Sequence, residues 1–304
     1  MDIETIVFAA GCFWGVEKYF SNIDNVIEVH SGYAGGSYKN PTYEIVLEHR
    51  NSNTIINHTE AVIVKYDSSK INLKNLIISF WELHNPTQKN GQGNDIGNNY
   101  RSAIYYTTDE QKYIALATKD IYEKILLKNG YPKIATEIKE LDEFFLAEDY
   151  HQNYLEKNPT GYCPHHSLNI KYEDDEKEYY KQIGKHKLGT NSEAYHIAFH
   201  NGTERMFCKQ YDIFKDTPSG YFVDIVSGEK LFDTKDRFNS GSGWLSFYEA
   251  VEGSTIELTD TSHGMTRVEV RAKKSDIHLG HVFPMENGKR RYCINANVLE
   301  FIAK

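Results

Sequence analysis

A run of charged and polar residues divides this 304-residue chain into two parts of different character. The run EDDEKEYYKQIGKHKLG, at 173–189, is typical of a connection between domains, partly helical. Before it, strand-like and helix-like segments alternate, which favours an α+β arrangement in layers. After it, short β-rich runs are punctuated by glycine and aspartate, which favours an all-β sheet or barrel. We therefore predict two unlike domains, at 1–172 and 193–304, joined by a charged linker at 173–192.

The spacing of apolar residues predicts individual elements in both parts. In the first part, strands are expected at TIVFAA, EAVIVKYD and RSAIYYT, and helices at GVEKYFSN, LKNLIISFWELH and DEQKYIALATKDIYEKIL. In the second part, strands are expected at GYFVDIVSG, KLFDT, GSTIELTD, TRVEVRAK, HVF and RRYCINAN. No repeat relates the two parts, so the chain joins unlike folds.

The charge and hydropathy of the chain exclude several classes of protein. A net charge of −9 is repelled by nucleic acids and by anionic membranes, so neither is an expected partner. The N-terminus lacks the basic segment of a secretory signal, and its apolar stretch Ile6–Ala10 is too short to span a bilayer. With a mean hydropathy of −0.58, the composition predicts a cytoplasmic protein.

Four cysteines are scattered along the chain, and none belongs to a CxxC pair: Cys12, Cys163, Cys208 and Cys293. The zinc-ribbon and thioredoxin-type signatures are therefore missing. In a cytoplasmic protein, scattered thiols are either buried apolar side chains or nucleophiles. Their neighbours in the sequence have to distinguish these two roles.

The segment GCFWG places Cys12 between a predicted strand and the first turn of a predicted helix. Backbone N–H groups and the helix dipole favour an anion there, so the thiol should ionise easily. Phe13 and Trp14 are placed to wall a small apolar pocket. A buried structural cysteine with two core aromatics is the alternative, but the flanking glycines allow close approach of a backbone and favour a nucleophile.

Glu60, Tyr43 and Tyr100 are candidates to complete this first site. Glu60 begins the strand in HTEAVIVKYD and shares a face with Val62 and Val64, so it should be buried. A buried carboxyl without a cation stays protonated and can donate a proton at neutral pH. The two tyrosines offer hydroxyl donors, although a packed tyrosine is the simpler interpretation of each.

In the second part, HLGHVF and RRYCINAN contain His278, His281 and Cys293. Two histidines and a cysteine form one class of metal site. No cysteine pair completes such a site, however, and the adjacent Arg290 and Arg291 would repel a cation. Arginine favours the thiolate form of cysteine instead, and a nearby imidazole can act as an acid or bind an oxygen.

Five blocks of the first part resemble the A-type peptide methionine sulfoxide reductases, in the order of that family: GCFWG, HTEAV, QGNDIGNNYRSAIYY, AEDYHQNYLEKNP and GYC. They are spread over nearly all of residues 3–170. The resemblance implies a two-layer, ferredoxin-like α+β fold. It also implies that Cys12 attacks the sulfoxide sulfur, and that Glu60 delivers the proton with which the oxygen leaves.

The same resemblance implies roles for the other candidates of the first site. The sulfoxide oxygen would be bound by three side chains: Glu60, Tyr43 and Tyr100. The substrate methyl would be held by two aromatic side chains, Phe13 and Trp14. Cys12 would become a sulfenic acid, which condenses readily with a second thiol. Cys163 occupies the position of the family's resolving cysteine, so a Cys12–Cys163 disulfide is implied.

Three blocks of the second part, GSGWLSF, HLGHVF and RRYCINAN, resemble the B-type methionine sulfoxide reductases and imply a mainly-β domain of barrel or sandwich type. Cys293 would be the nucleophile, Arg291 would tune its thiolate, and Trp244 would contact the substrate methyl. The oxygen and an ordered water would be organised by His278, His281 and Asn297. A rigid chiral pocket accepts one epimer, so the two types imply the S epimer in the first domain and the R epimer in the second.

The second part departs from that family in several places. Many B-type enzymes carry two CxxC pairs that hold zinc, whereas the corresponding places here read VDIVSGE and RAKKSDIH, so zinc should be absent. The usual resolving cysteine is replaced by Ser242, and the PMENGKR loop is shorter. The sulfenic acid on Cys293 must then be resolved by Cys208, if the fold brings it near, or by direct attack of a reductant.

These implications describe an enzyme that reduces methionine sulfoxide, free or in oxidised proteins. No dinucleotide or phosphate motif is visible, so no bound redox cofactor is expected, and electrons would come from thioredoxin or a similar dithiol protein. Two alternatives stay open. A cysteine-dependent acyl hydrolase would need an oxyanion hole and a water-activating histidine. A non-catalytic thiol sensor or metal-binding module would oxidise without turnover.

Overall fold

The computed structural model describes residues 2–162, 166–286 and 288–304, with the backbone alone for His263. It forms two compact units, Met1–Glu173 and Asp174–Lys304. Within the described residues, no helix combines the length and the apolar character that crossing a membrane requires.

The first unit is a mixed α/β structure around a six-stranded sheet. Its strands are β1 (Ile3–Ala9), β2 (Val26–Ala34), β3 (Thr59–Asp67), β4 (Gly91–Gln92), β5 (Asp95–Ile96), β6 (Ala103–Tyr106), β7 (Glu137–Glu140) and β8 (Phe144–Leu146). Its helices are α1 (Phe13–Ser21), α2 (Tyr43–Glu48), α3 (Leu73–Leu83), α4 (Asp109–Lys128) and α5 (Tyr154–Lys157), with 3-10 turns at His49–Asn51 and Asn98–Tyr100. The three strands and three helices predicted in this part are confirmed.

The sheet of the first unit has the order β7-β6-β1-β3-β2-β8. Its pairs are antiparallel except for β6 with β7. Strand β1 is covered on both faces, as its continuous apolar sequence requires. On one face, the Phe8 ring stacks on Phe20 of α1 and on Phe80 of α3, with centroids 4.7 and 5.1 Å away. On the other face, Val7 packs in a buried cluster with Ala61 and Tyr105. The end of β1, which leads to Cys12, is therefore rigidly held.

The second unit is β-rich and contains two sheets. Its strands are β9 (Gly220–Asp224), β10 (Lys230–Asp233), β11 (Arg237–Phe238), β12 (Leu245–Phe247), β13 (Thr255–Asp260), β14 (Arg267–Ala272), β15 (His278–Pro284), β16 (Arg290–Ile294) and β17 (Leu299–Ala303). The strand orders are β10-β9-β17 and β11-β12-β16-β15-β14-β13. An aromatic core joins the sheets, because Phe232 of β10 stacks on Phe247 of β12 at 4.5 Å and lies 5.9 Å from Tyr292 of β16.

Helices at the start of the second unit correct the expectation of an all-β part. They are α6 (Glu176–Leu188), α7 (Glu193–His200) and α8 (Lys209–Phe214), and 3-10 turns lie at Thr234–Asp236, Ser262–Gly264 and Ala296–Val298. Helix α6 lies in the charged segment for which the sequence predicts a linker. Helices α7 and α8 are too short for apolar periodicity to mark them. Each helix has a side-chain N-cap. Ser192 accepts from the Tyr195 N–H, and Cys208 accepts from the Tyr211 N–H.

Candidate active sites

Cys12 lies at the junction between β1 and α1. Gly11 turns the chain with a φ of +90°, and a Cβ at this position would lie 2.7 Å from the Gln92 Cβ, so glycine is required. Cys12 then occupies the N-cap position of α1, which begins at Phe13. The sequence predicted this strand-to-helix junction, and it places the cysteine where backbone N–H groups favour an anion.

Glu60 is a buried acid next to that cysteine. It lies on β3 with 2% of its surface exposed, and its Oε2 accepts a hydrogen bond of 3.2 Å from the backbone N–H of Phe13. Burial raises the pKa of Glu60 to about 8, and the charge of Asp95 adds to this effect, while the Phe13 N–H opposes it. The carboxyl is therefore largely protonated at neutral pH and can donate a proton.

Tyr43 and Tyr100 belong to the same electrostatic environment. Tyr43 begins α2, and Tyr100 ends the 3-10 turn that follows Gly97. Burial and the nearby Glu60 raise the pKa of both hydroxyls, that of Tyr43 to about 12. The charge of Cys12 also acts on Tyr43. The structure thus brings the predicted acid, both predicted tyrosines and the predicted nucleophile together. Because their pKa values are raised, both phenol groups keep their protons and can donate hydrogen bonds.

Phe13 and Trp14 belong to an aromatic cluster around His151. The Trp14 ring stacks on Tyr154 at 3.7 Å, and its Nε1 donates to His151 Nδ1 at 3.1 Å. The rings of Phe13 and Tyr43 lie 4.9 and 4.7 Å from the His151 ring. The two predicted aromatics therefore have fixed orientations and form an apolar wall beside Cys12.

Sequence reasoning named neither His151 nor two carboxylates of this first site. Burial lowers the pKa of His151, although the charge of Glu148 opposes this shift, and Nδ1 accepts from Trp14. Glu148 accepts from the Tyr43 N–H and the Tyr33 hydroxyl, both at 2.8 Å, and so holds α2 in place. Asp95 accepts from the Tyr162 hydroxyl at 3.2 Å. A signal was present, because these residues lie in the blocks AEDYHQNYLEKNP and QGNDIGNNYRSAIYY.

A cavity of about 380 Å³ adjoins Cys12 and is lined partly by Val16, Tyr19, Leu83 and His84. Cys163, the predicted resolving cysteine, lies outside the described residues. The Cys12–Cys163 disulfide therefore stays a prediction.

Cys293 lies in a row of polar side chains across the second unit's larger sheet. In β16, Tyr292 and Ile294 are buried, whereas Cys293 is half-buried on the opposite face. Its register partners are His281 of β15 and Ser246 of β12. Directly opposed residues of antiparallel strands point the same way, so these two side chains flank the cysteine.

The two predicted histidines are each bound to a carboxylate. His278 Nδ1 lies 2.7 Å from Glu269 Oε1, and His281 Nε2 lies 2.7 Å from Asp260 Oδ2. Burial lowers the pKa of His278, although Glu269 opposes this shift. Among residues 2–162, 166–286 and 288–304, His278 Nε2 has no hydrogen-bond partner. The hydrogen-bonding capacity of this buried nitrogen is therefore unused.

The electrostatics of Cys293 differ from the sequence expectation. Arginine was expected to favour the thiolate, and Arg291 does lower the pKa of Cys293, as does a hydrogen bond from Ser242. Burial and the charge of Glu204 raise this pKa, and the net direction is upward. Ser242 is itself held by Ser240, whose hydroxyl lies 2.8 Å from it. Position 242 therefore carries a hydroxyl donor next to the sulfur.

Trp244 and Asn297 are both tied to Glu204, which sequence reasoning missed. Trp244 Nε1 donates to the Glu204 carbonyl at 3.3 Å, and its ring lines a cavity of about 540 Å³. Asn297 donates its backbone N–H to the Glu204 carboxylate at 2.8 Å. The buried amide of this segment is Asn295, whose Oδ1 accepts from the Glu204 N–H and whose Nδ2 donates to the Leu279 carbonyl. The oxygen-organising role of Asn297 stays a prediction.

Cys208 lies at the N-cap of α8, and its Sγ accepts from the Tyr211 N–H at 3.4 Å. Burial raises the pKa of this thiol, and the nearby Glu204 adds to the effect. Neither Cys208 nor Cys293 is in a disulfide.

The segments that correspond to the zinc-binding pairs of many B-type enzymes form a hydrogen-bonded cluster here. The buried Asp224 carboxylate accepts from the Val226 and Ser227 N–H groups and from the hydroxyls of Ser227 and Ser275. One saturated carboxylate and two hydroxyls, without a thiolate, do not fit the ligand preference of Zn²⁺. In the described part of the chain, no group of three or more His, Cys, Asp or Glu is placed to hold a metal ion.

Comparisons with known proteins agree with this division into two sites. Residues 4–183 match the family model of peptide methionine sulfoxide reductase, and residues 190–303 match that of the SelR domain, the B-type reductase. Methionine sulfoxide reductase A of Corynebacterium diphtheriae is 39% identical over 57% of this chain and 84% of its own, with a TM-score of 0.48. Reduced Mxr1 from Saccharomyces cerevisiae is 35% identical over 55% and 92%, with a TM-score of 0.47.

A further structure shows Mxr1 in complex with Trx2, at 26% identity over 55% of this chain and 90% of that chain, with a TM-score of 0.34. The family matches do not favour the acyl hydrolase or the thiol sensor. The chain therefore belongs to the peptide methionine sulfoxide reductase family, and it joins an A-type domain to a B-type domain that reduce methionine sulfoxide of the S and R configurations respectively.

Proposed function

We propose that Cys12 reduces the S epimer with Glu60 as its proton donor. The Cys12 sulfur attacks the sulfoxide sulfur, and Glu60 protonates the oxygen, with hydrogen bonds from Tyr43 and Tyr100. The sulfoxide sulfur gains two electrons, and the product leaves as methionine. The Cys12 sulfur loses two electrons and takes up the oxygen as a sulfenic acid. The buried carboxyl on the Phe13 N–H, one residue after the nucleophile, is the observation that carries this proposal.

The aromatic wall supports the choice of substrate at the first site. Phe13 is buried and Trp14 is held by stacking and by a hydrogen bond, so both present fixed apolar surfaces. We propose that they hold the methyl group of the sulfoxide while its oxygen faces Glu60. A pocket with an apolar wall opposite a proton donor distinguishes the two configurations at sulfur.

We propose that Cys163 resolves the sulfenic acid at the first site. Its thiol would attack the Cys12 sulfenic acid, a disulfide would form, and water would leave. We test this with the Cys163→Ser variant after a single turnover on the S epimer. Intact mass should show Cys12 one oxygen heavier, and a sulfenic-acid probe should trap it. A disulfide signal equal to that of the unmodified chain would overturn the assignment.

We propose that Cys293 reduces the R epimer by the same chemistry. His278 presents a buried nitrogen to the substrate oxygen, and His281 flanks the sulfur on the adjacent strand. Arg291 and Ser242 oppose the effect of burial without reversing it, and we propose that they stabilise the thiolate once it forms. Trp244 lines a cavity that is also lined by Ser246, the register partner of Cys293, and we place the methyl group there. To Asn297 we assign the ordering of a water beside the substrate.

We propose Cys208 as the resolving thiol of the second site. The position used by many relatives is Ser242 here, and a hydroxyl cannot form a disulfide. The loop of Cys208 lies against the loop of position 242, because the Phe207 N–H donates to the Gly243 carbonyl at 2.8 Å. The test is turnover of the R epimer by Cys208→Ser with thioredoxin as reductant. A loss of turnover supports the intramolecular route, and unchanged turnover would mean that the reductant attacks Cys293 directly.

The two disulfides then have to be reduced from outside. We propose thioredoxin or a similar dithiol protein as the electron donor, because thiol–disulfide exchange balances each cycle without a bound cofactor. The substrates are free methionine sulfoxide and oxidised proteins. Zinc is expected to be absent, because the Asp224 cluster lacks thiolates. Elemental analysis of the purified chain tests this, and a stoichiometric zinc content would contradict it.

We also propose the fold type of each domain and the location of the protein. A two-layer, ferredoxin-like first domain is supported by α1 and α3 packing on the same face of β1. A barrel or sandwich type for the second is supported by the aromatic core between its two sheets. We place the domains at 1–172 and 193–304, and a cytoplasmic location is supported by the net charge of −9.

A further inference from the structure

His151 is a buried histidine that contacts three residues assigned to the substrate at the first site. Only 2% of its surface is exposed. Its ring centroid lies 4.9 Å from that of Phe13 and 4.7 Å from that of Tyr43. Its Nδ1 accepts a hydrogen bond of 3.1 Å from Trp14 Nε1. His151 therefore joins the two aromatics placed against the methyl group to a hydroxyl donor placed against the oxygen.

The segment that carries His151 is held by side chains on both sides of the ring. Glu17 of α1 is buried, and its Oε2 accepts from the Asn153 N–H at 2.8 Å. Gln152 accepts from the Ser31 N–H at 3.1 Å and donates to the Ser31 carbonyl at 2.9 Å, which ties the segment to β2. The fold thus sets the position of the His151 ring before a substrate binds.

The hydrogen bond from Trp14 determines which nitrogen of His151 carries a proton. An indole nitrogen can only donate, so Nδ1 has to be unprotonated, and the neutral ring carries its proton on Nε2. No residue that the structure describes is hydrogen-bonded to this buried Nε2, and Glu148 Oε2 lies 4.0 Å from it. A ring kept for packing alone would gain from an apolar replacement, because an unpaired buried nitrogen costs free energy. The acceptor on Nδ1 is what an apolar side chain could not supply.

We propose that His151 is a positioning residue that fixes Trp14 for binding of the S epimer, and that protonation of its ring releases Trp14. This rests on the proposed contact of Trp14 with the substrate methyl. When Nδ1 gains a proton, two donors face each other and the hydrogen bond is lost. Trp14 then keeps its stacking contact with Tyr154 but not its fixed orientation. The methyl group takes no part in bond breaking, so this loss should weaken binding more than it slows the chemical step.

Binding of the S epimer should therefore depend on pH on the acidic side. Burial lowers the pKa of His151 although Glu148 opposes the shift, so the ring gains its proton only below the usual range of histidine. Binding should be tight at neutral pH and weaken as the pH falls through that lowered pKa. The other titratable groups on the elements around the ring are Cys12 and Glu17 of the α1 segment, Tyr33 of β2, Tyr43 of α2, Glu60 of β3, Tyr154 of α5, and Glu148 and Tyr150 of its own segment.

One of these groups, Glu17, has to be separated from His151 by experiment. Burial raises the pKa of Glu17, and its protonation would weaken its hold on Asn153. Glu60 already holds its proton at acidic pH, since its pKa is raised to about 8. Protonation of Cys12 would act on the chemical step and not on binding. A variant of His151 that keeps the acceptor but cannot titrate distinguishes the histidine from Glu17.

The test is methionine release in a single turnover of the full chain at increasing concentrations of the S epimer, which separates the apparent Kd from the maximal rate. His151→Leu fills the space without an acceptor. It should raise the apparent Kd about fivefold or more at neutral pH and change the maximal rate less than about twofold. His151→Asn places an oxygen near the position of Nδ1. Its apparent Kd should stay within about threefold of the parent's and should not increase between about pH 7 and 5, as the parent's should.

Two further variants complete the test. Trp14→Phe keeps an aromatic ring and removes the donor, so adding His151→Leu to it should raise the apparent Kd by less than about twofold. His30→Asn replaces a half-buried histidine of β2 outside the site and is the matched control. It should match the parent at both pH values.

The outcomes separate the role of His151 from the proposed site beneath it. An unchanged apparent Kd in His151→Leu, or an acidic increase that persists in His151→Asn, would overturn the role of His151. A persisting increase would assign the titration to Glu17. If Trp14→Ala binds the S epimer as tightly as the parent, the methyl contact fails and takes the role of His151 with it. If His151→Leu does not fold, the pH profiles of the parent and of His151→Asn decide.

Discussion

The carboxyl of Glu60 accepts a hydrogen bond from the backbone N–H of Phe13, the residue that follows Cys12. This contact joins the middle strand pair of the first unit to the first turn of α1. It fixes the acid relative to the nucleophile through the backbone, so side-chain motion of Cys12 does not alter the position of Glu60. Proton delivery and nucleophilic attack are thereby aligned before the substrate arrives.

Replacing Glu60 by glutamine should remove the proton donor while keeping its shape. We expect kcat on the S epimer to fall by about 100-fold or more, since a positioned general acid contributes at least this much. The pKa of Glu60 is raised to about 8 and the protonated form is active, so activity of the unmodified chain should decline as pH rises through that value. In Glu60→Gln this decline should be lost.

The second site of the same variant is the internal control for Glu60. Turnover of the R epimer by Glu60→Gln should match that of the unmodified chain. A variant that keeps full S-epimer activity, or an unmodified chain whose activity increases above pH 8, would show that Glu60 is not the acid.

Glu269 should set the protonation of His278 at the second site. Glu269 raises the pKa of His278, against the effect of burial, and the protonated ring is the form that donates to an oxygen. In Glu269→Gln the pKa of His278 should fall further. The loss of R-epimer activity with rising pH should therefore begin at a lower pH than in the unmodified chain. The measurement is kcat/KM against pH for both proteins. An unchanged alkaline limb would contradict the role given to this pair.

A thiol at position 242 should create a second route to a disulfide. Ser242 is among the groups that lower the pKa of Cys293, and its hydroxyl lies 2.8 Å from that of Ser240, so its side chain is placed close to that sulfur. After one turnover on the R epimer, Ser242→Cys combined with Cys208→Ser should contain a disulfide between positions 242 and 293, detected by peptide mapping. Ser240→Cys in the same background is the matched control and should give less of this product. Absence of the 242–293 disulfide would show that the two side chains are farther apart than the structure indicates.

Asp224 should stabilise the second unit through its four hydrogen bonds. Asp224→Ala leaves buried N–H and hydroxyl groups unsatisfied, which should cost about 2–4 kcal/mol and lower the Tm of this unit by about 5–10 °C. Asp212→Ala, which removes an exposed ion pair with Lys215, should change stability by less than about 1 kcal/mol. Thermal inactivation of R-epimer turnover is the readout. Equal effects of the two substitutions would mean that the cluster is not a structural link.

Much of the first site could be predicted because its signals are local. Cys12 lies between a strand and a helix that apolar spacing marks clearly, and the alternation in β3 places Glu60 on the buried face with Val62. Tyr43 and Tyr100 could be named from their motifs. The electrostatic effect of Glu60 on both hydroxyls depends on the fold and could not be predicted. His151 was missed because its contact with Trp14 spans 137 positions of sequence.

The second site was less predictable because its key contacts join distant segments. Glu204 bonds to residues 92 and 93 positions later, and no local pattern marks it. Arg291 beside Cys293 predicted a lowered pKa, whereas burial, which depends on tertiary packing, raises it. The short helices α7 and α8 lack a measurable period, although Ser192 is a recognisable N-cap.

The most direct test of two independent reductases is turnover of each purified epimer by the full chain with either nucleophile removed. Cys12→Ser should fall below about 1% of its S-epimer activity and keep its R-epimer activity, and Cys293→Ser should show the reverse. A variant that retains both activities, or one substitution that abolishes both, would contradict the assignment of one epimer to each unit.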